Sequence, residues 1–176
     1  MRLQGRLENR IYFRPRLEVS KSANSGKLRP LADIVSKAKR SRMMSGIRSK
    51  NTRPELIVRS ALHSRGFRYR LHDPNLPGKP DLVFPSLKSA IFVNGCFWHG
   101  HSCNLFRLPK TNTDFWAGKI EANRMRDARV RERLDAIGLR HFTVWECSLR
   151  GRSQDEMKGT IDECVCWLEA AREGVV

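Results

Sequence analysis

Lys79-Pro80-Asp81-Leu82-Val83-Phe84-Pro85-Ser86-Leu87-Lys88-Ser89-Ala90-Ile91-Phe92-Val93-Asn94-Gly95-Cys96-Phe97-Trp98-His99-Gly100-His101-Ser102-Cys103 carries two short apolar runs and then a loop crowded with thiols, imidazoles and aromatic rings. The runs Leu82–Phe84 and Ala90–Val93 are continuous rather than alternating, the pattern of strands buried on both faces. Asp81 places a lone carboxylate at the mouth of the first strand. Cys and His are the soft ligands that hold Zn²⁺, and aromatic pairs beside a basic surface stack on bases or wedge between them. A strand-borne acid, a metal-binding loop and an aromatic wedge this close together point to a nuclease rather than a generic basic domain.

Upstream, Thr52-Arg53-Pro54-Glu55 fits a capping box that opens a helix running to about Ser64, with Leu56, Ile57, Ala61 and Leu62 inward and a stop at Gly66. Phe67-Arg68-Tyr69-Arg70-Leu71 alternates as a half-exposed strand does, and Asp73 to Gly78 is a Pro/Gly/Asn loop. Downstream, a long helix is expected from Thr113 to Gly138. Trp116, Ile120, Asn123, Asp127, Val130, Leu134 and Ile137 share one of its faces. Asn123 and Asp127 interrupt that apolar stripe, so something in the interior has to satisfy them. His141–Glu146 reads as a third core strand ending at Cys147. A last helix, Asp155 to Arg172, buries Met157, Ile161, Cys164, Val165 and Leu168. The order predicts an α/β fold, helices packed around a mixed sheet.

The chain has 176 residues, enough for one well-packed domain, and a formal net charge of +16. Such an excess is the electrostatic footprint of a nucleic-acid partner; an anionic membrane surface or a merely solvated basic surface are the alternatives. Residues 1–50 hold 14 Lys and Arg against 3 Asp and Glu. With little apolar patterning there, residues 1–40 read as a basic, flexible arm and 41–176 as the folded domain. The arm mildly resembles a transit peptide, or the product of an upstream start codon, Met43 and Met44 being the next methionines. No stretch approaches the roughly 18 apolar residues of a spanning helix, and no secretory segment opens the chain. Five cysteines then suggest metal ligation and reduced thiols, not a disulfide framework.

Cys96, His101, Cys103 and Cys147 form a Cys₃His set, compact in its first three members, with the fourth after a core strand. Buried reduced thiols with surface histidines are the simpler alternative. Cys164 and Cys166 point about 200° apart on a helix and read as packing residues. His99 suits a general base or a charge stabiliser at a phosphate, or is an incidental loop histidine. Asp81 suits Mg²⁺, or caps a turn after Pro80.

From about Lys39 to Arg152 the chain closely resembles the Vsr very-short-patch repair endonucleases. Leu76-Pro77-Gly78-Lys79-Pro80-Asp81, Gly95–His101, Phe115-Trp116 and Val144–Gly151 carry the resemblance, in order. It implies a restriction-endonuclease-like mixed sheet flanked by helices, with a structural zinc site. It further implies Mg²⁺-dependent nicking on the 5′ side of the thymine in T:G mismatches left by 5-methylcytosine deamination. Asp81 matches the catalytic aspartate, Val93 a metal ligand through its main-chain carbonyl, His99 a catalytic histidine, and Glu55 an acid near the metal-bound waters. Cys96, His101, Cys103 and Cys147 match the zinc ligands. Phe97, Trp98 and Trp116 match the intercalating aromatics, with Met44 facing them; Asp127 and Asn123 are assigned supporting roles. The implied enzyme works in the bacterial cytoplasm on nucleoid DNA. It acts as a monomer, alongside other repair proteins and with no membrane partner. Two departures stand out. The strand after Asp81 ends Phe92-Val93-Asn94, without the Glu-x-Lys of the wider nuclease fold, and Asn94 sits where relatives often carry histidine. A restriction-type or modification-linked endonuclease on the same scaffold, or a zinc-bearing DNA-binding protein without chemistry, are the rival expectations.

Overall fold

The computed structural model describes residues 36–46 and 50–174, without the side chains of Lys37, Arg40, Met43 and Met44. Residues 1–35, most of the expected basic arm, lie outside that set, and the expected boundary at residue 40 falls within the first helix, α1 (Lys37–Ser45). Then follow α2 (Arg53–Ser64), β1 (Arg70–Leu71), β2 (Leu82–Phe84), β3 (Ser89–Asn94), α3 (Thr113–Ala136), β4 (Arg140–Trp145) and α4 (Gln154–Arg172).

The strands form one mixed sheet in the order β1-β2-β3-β4. β1–β2 and β2–β3 are antiparallel, and β3 and β4 are parallel, pairing from Ser89↔Arg140 to Asn94↔Trp145. A parallel pair needs a long crossover. Here α3 supplies it, and the loop between Asn94 and α3 carries three members of the Cys/His cluster, Cys96, His101 and Cys103. The core gathers Val58 and Leu62 from α2, Leu82 and Phe84 from β2, Ile91 from β3, Val144 from β4, and Ile161, Cys164 and Leu168 from α4. β2 is buried throughout, as its unbroken apolar run requires.

Several expectations shift in detail. α2 turns Glu55, Val58, Arg59 and Leu62 inward, so Leu56 faces solvent. An i, i+3, i+4, i+7 stripe led by a buried ion pair replaces the purely apolar one. The predicted strand 67–71 narrows to Arg70–Leu71, which pair with Val83 and Leu82 of β2. Ile137 follows the last turn of α3 and is exposed. Cys164 is buried and Cys166 exposed, as helical geometry demands.

The loop before β2 is fixed by a close approach. Gly78 has φ +74°, and a Cβ there would lie 2.5 Å from Val130 Cγ1 on α3. Gly78→Ala should therefore destabilise the protein by about 2 kcal/mol, from left-handed backbone and overpacking together. In urea unfolding, adding Val130→Ala should recover the steric part alone; an unchanged midpoint for the single variant would contradict this packing.

Candidate active site

Asp81 ends the loop that Gly78 seats. One carboxylate oxygen, Oδ2, accepts from the Val93 amide at 2.7 Å. β2 pairing stops at Ile91, so the next outward-facing groups of β3 on that side are free for Asp81. The N–H and C=O of one strand residue point to the same edge, and the Val93 carbonyl opens towards Asp81 too. Burial raises the Asp81 pKa above the ordinary carboxylate value; the Val93 amide opposes this, Glu55 adds to it, and His72 and Arg59 oppose it.

Glu55 is buried at the start of α2. Its oxygens accept from the Asn51 amide (2.9 Å), the Thr52 hydroxyl (2.8 Å) and Arg59 Nη2 (2.7 Å), with the Thr52 amide at 3.4 Å. The expected capping box is present, and the acid also anchors a buried ion pair. Arg59 reaches on to Asn51 Oδ1 and to His72 Nε2, at 2.5 and 2.9 Å. His72 Nδ1 lies 3.6 Å from Asp81 Oδ1. Glu55, His72 and Asp81 thus offer three ligand atoms within 4.8 Å of one another, a set with the oxygen donors a hard divalent ion requires. Sequence reasoning missed His72 and Arg59. Arg59 stands four residues after Glu55 on a helix, the spacing of a facing ion pair, and would have been the available signal.

His99 stands across the same cleft, of about 720 Å³, together with Asp81, Glu55 and Trp98. Its Nδ1 meets Asp127 Oδ2 at 2.5 Å, leaving Nε2 to the cleft. Asn123 Nδ2 donates to the Trp98 carbonyl at 2.8 Å, and Arg124 Nη2 to the Gly100 carbonyl. The two polar interruptions of the α3 stripe are therefore satisfied by the loop they hold. Lys50, Lys79, Arg126 and Arg131 line the cleft and make its mouth attractive to phosphate.

Cys96, His101, Cys103 and Cys147 come together as a second cluster. His101 Nδ1 lies 3.7 Å from Cys96 Sγ and 3.5 Å from Cys147 Sγ. A tetrahedral ion with Zn–S of about 2.3 Å and Zn–N of about 2.0 Å sets such atoms roughly 3.5 Å apart, so the donors fit a closed four-coordinate metal. His101 stacks on Trp145 at 4.1 Å between centroids, which fixes its ring. Burial lowers the His101 pKa and pushes the Cys96 thiol up to about 12. Cation binding must therefore displace thiol protons.

Phe97, Trp98 and Trp116 form one aromatic group, with centroids 5.2 to 6.2 Å apart, and each ring is half-buried. Phe115 beside them is 62% exposed. Val93, Asn94 and Trp98 face the cleft. The Met44 side chain lies outside the described residues.

The family model for "DNA mismatch endonuclease Vsr" matches residues 32–105. The Type II nicking enzyme V.XorIIP of Xanthomonas oryzae pv. oryzae is 54% identical over 119 residues, covering 68% of this chain and 88% of the relative. The Type II nicking enzyme V.NmeAIP of Neisseria meningitidis serogroup A is 46% identical over 123 residues, 70% of this chain and 88% of the relative. DNA mismatch endonuclease Vsr of Escherichia coli K12 is 41% identical over 139 residues, 77% of this chain and 89% of the relative.

Cys147 joins the end of β4 to the loop after β3, so a metal held there staples distant segments. Cys147→Ala should lose stoichiometric metal by elemental analysis and lower the melting temperature by something on the order of 10 °C. A metal-poor variant that melts with the parent would refute the staple. At Asp81 the sign is opposite. A folded-state pKa above the ordinary value means that its contribution is full at acid pH and is lost as pH rises through that pKa. Asp81→Asn keeps the shape without the charge. Without divalent ions it should melt at or above the parent at neutral pH, the difference vanishing in acid; a variant less stable at neutral pH would contradict the burial argument.

Proposed function

The chain belongs to the DNA mismatch endonuclease Vsr family and is a DNA endonuclease, and from that premise we propose that it nicks DNA on the 5′ side of the thymine in T:G mismatches. The observation that carries this reading is a single cleft that joins Asp81, the Val93 edge and His99 to the aromatic group at Trp98. Hydrolysis and lesion recognition then share one surface. A restriction-endonuclease-like ancestry for the mixed sheet accords with an acid that leads into one strand and a carbonyl ligand on the next.

Asp81 and the Val93 carbonyl would hold a hydrated Mg²⁺, which supplies charge neutralisation at the phosphate when bound. Asp127 orients the His99 ring so that Nε2 takes a proton from the attacking water or gives one to the leaving oxygen. Glu55, itself held by Asn51, Thr52 and Arg59, walls the cleft beside Asp81 and orients its water. Zinc held by the Cys₃His set would be structural, because four protein ligands leave no position for a reacting water. The basic cleft mouth binds the backbone of double-stranded DNA, so affinity falls with salt. The enzyme is read as a monomer of the bacterial cytoplasm. Among the described residues no helix is long and apolar enough to cross a membrane.

The related proteins called Type II nicking enzymes favour a second reading in part, a nicking activity linked to a modification system. It shares the scaffold and the phosphodiester chemistry, and a panel of substrates separates the two. Strand-resolved cleavage of paired T:G and T:A duplexes with Mg²⁺ tests the main reading. The expected result is a nick only in the thymine strand of T:G, abolished in Asp81→Asn, which still binds the mismatch because a near-isosteric amide spares the DNA surface. Equal cutting of both duplexes, or of both strands, would overturn it.

Trp98→Ala should narrow the gap between T:G and T:A while leaving salt-sensitive, non-specific binding intact. Wedging rings into a stack costs about a few kcal/mol per step, less where pairing is already poor. Affinity and nicking rate on the two duplexes at fixed salt, with a melting curve as folding check, provide the measurement. An undiminished preference in a folded variant would remove Trp98 from recognition.

A further inference from the structure

Between the Glu55–Arg59 ion pair and Asp81 stands one imidazole to which neither the family resemblance nor the proposed chemistry gives a part. His72 is only 14% exposed in its side chain and sits with φ +48°, in the left-handed region that few residues other than glycine adopt, histidine and asparagine among the more frequent of them. Asn51, which receives the other arm of Arg59, is left-handed as well, with φ +56°. Arg59 joins the two, and the contacts form one chain, Asn51–Arg59–His72–Asp81.

The direction of that chain follows from hydrogen counting. A guanidinium has five donors and no acceptor. Arg59 Nη2 lies 2.9 Å from His72 Nε2, so Nε2 must present its lone pair. Of the three protonation patterns of imidazole, the two with hydrogen on Nε2 would set N–H against N–H at that distance. The remaining one puts the hydrogen on Nδ1, the atom 3.6 Å from Asp81 Oδ1. That separation is longer than a formed hydrogen bond, but contacts at reaction centres commonly tighten once the site is filled. A nitrogen that carries hydrogen cannot ligate a metal, so His72 is not the third ligand that its proximity to Glu55 and Asp81 suggests.

We infer that His72 is a positioning residue for Asp81, locked by Arg59 as the Nδ1–H tautomer, whose N–H steadies Oδ1 while the Val93 amide holds Oδ2. The inference rests on the reading of Asp81 as the divalent-ion ligand. It makes metal affinity depend on a network that starts at the α2 cap. Partners that orient a ligating side chain typically change metal affinity by about 10–100-fold when removed.

The test uses the full-length, zinc-loaded protein with Mn²⁺ as probe. Long-range ¹H–¹⁵N correlation of the parent without Mn²⁺ should show His72 with hydrogen on Nδ1 and a bare Nε2. Binding of Mn²⁺, read by electron paramagnetic resonance of the free ion, should weaken by about tenfold or more in His72→Ala and stay within about threefold of the parent in His72→Gln. Glutamine supplies the same pair of groups, an oxygen to accept from Arg59 and an N–H to give to Asp81. Hydrogen on Nε2, parental affinity in His72→Ala, or His72→Gln as weak as His72→Ala would each overturn the assignment; the last would mark the imidazole itself as the ligand. Zinc content and melting curves accompany each variant, and the tautomer, measured on the parent, decides even if the alanine variant fails to fold. Asp81→Asn is the control for the underlying reading. Undiminished Mn²⁺ binding there would overturn Asp81 as ligand, and the inference with it, whereas loss of T:G selectivity alone touches neither measurement.

Discussion

The loop from Gly95 to Cys103 is held from two sides by different forces, and the placing of His99 and of the aromatic group follows from that. On one side Cys96, His101 and Cys103 meet Cys147 at the end of β4. On the other, α3 grips three consecutive residues of the loop, through Asn123 to Trp98, Asp127 to His99 and Arg124 to Gly100. An irregular segment carrying orphan carbonyls would otherwise be mobile. Gly100 shows how tight the fit is: its φ is +59°, and a Cβ there would lie 2.6 Å from Ile120 Cγ2. The same clamp fixes both His99 and Trp98, which line the cleft together.

Opposite this clamp the cleft is built from backbone strain and buried charge rather than from a metal cluster. Asn51, His72 and Lys79 all have positive φ, and they flank Glu55 and Asp81 in sequence. Arg59 is buried with its Nε unpartnered among the described residues. These features are costly in a fold and persist where the surroundings over-determine them. Burial raises the Asp81 pKa, so the carboxylate proposed to hold a cation is also one the metal-free fold would prefer uncharged. On that proposal stability and function pull in opposite directions at Asp81, and a bound cation would reverse the balance.

Much of this was legible in the chain because its elements carry unambiguous periods. The unbroken runs at Leu82–Phe84 and Ala90–Val93 became central strands, Thr52 and Glu55 opened α2, and the Cys/His spacing closed into one cluster. The polar interruptions at Asn123 and Asp127 announced interior partners, although not which ones. What stayed hidden depends on contacts between segments without local pattern. His72 is one histidine at the edge of a Pro/Gly/Asn loop, and only the fold brings it between α2 and β2. Leu56 faces solvent although it is apolar, because Glu55 and Arg59 turn into the core instead and their mutual pairing makes that burial tolerable. The alternation of Phe67–Leu71 reports a half-buried surface and not the extent of strand pairing, which covers Arg70 and Leu71.

On the proposed reading, the packing of the aromatic group adds an energetic term of its own to binding. Phe97, Trp98 and Trp116 meet edge to face or tilted, at separations where ring pairs attract beyond the area they bury. Rings that leave this arrangement to enter a base stack exchange ring–ring contacts for ring–base contacts and must also part the bases. Both losses fall on the bound state, and only the second depends on the DNA. The cost of leaving the half-buried packing is the same at every site, so it cancels from the ratio of affinities for poorly paired and well-paired steps. It lowers both affinities, and with them the fraction of well-paired steps occupied at a given protein concentration. On the proposed reading the ratio itself is set by the cost of parting the bases, and the packing of the three rings sets how much of that ratio appears as occupancy.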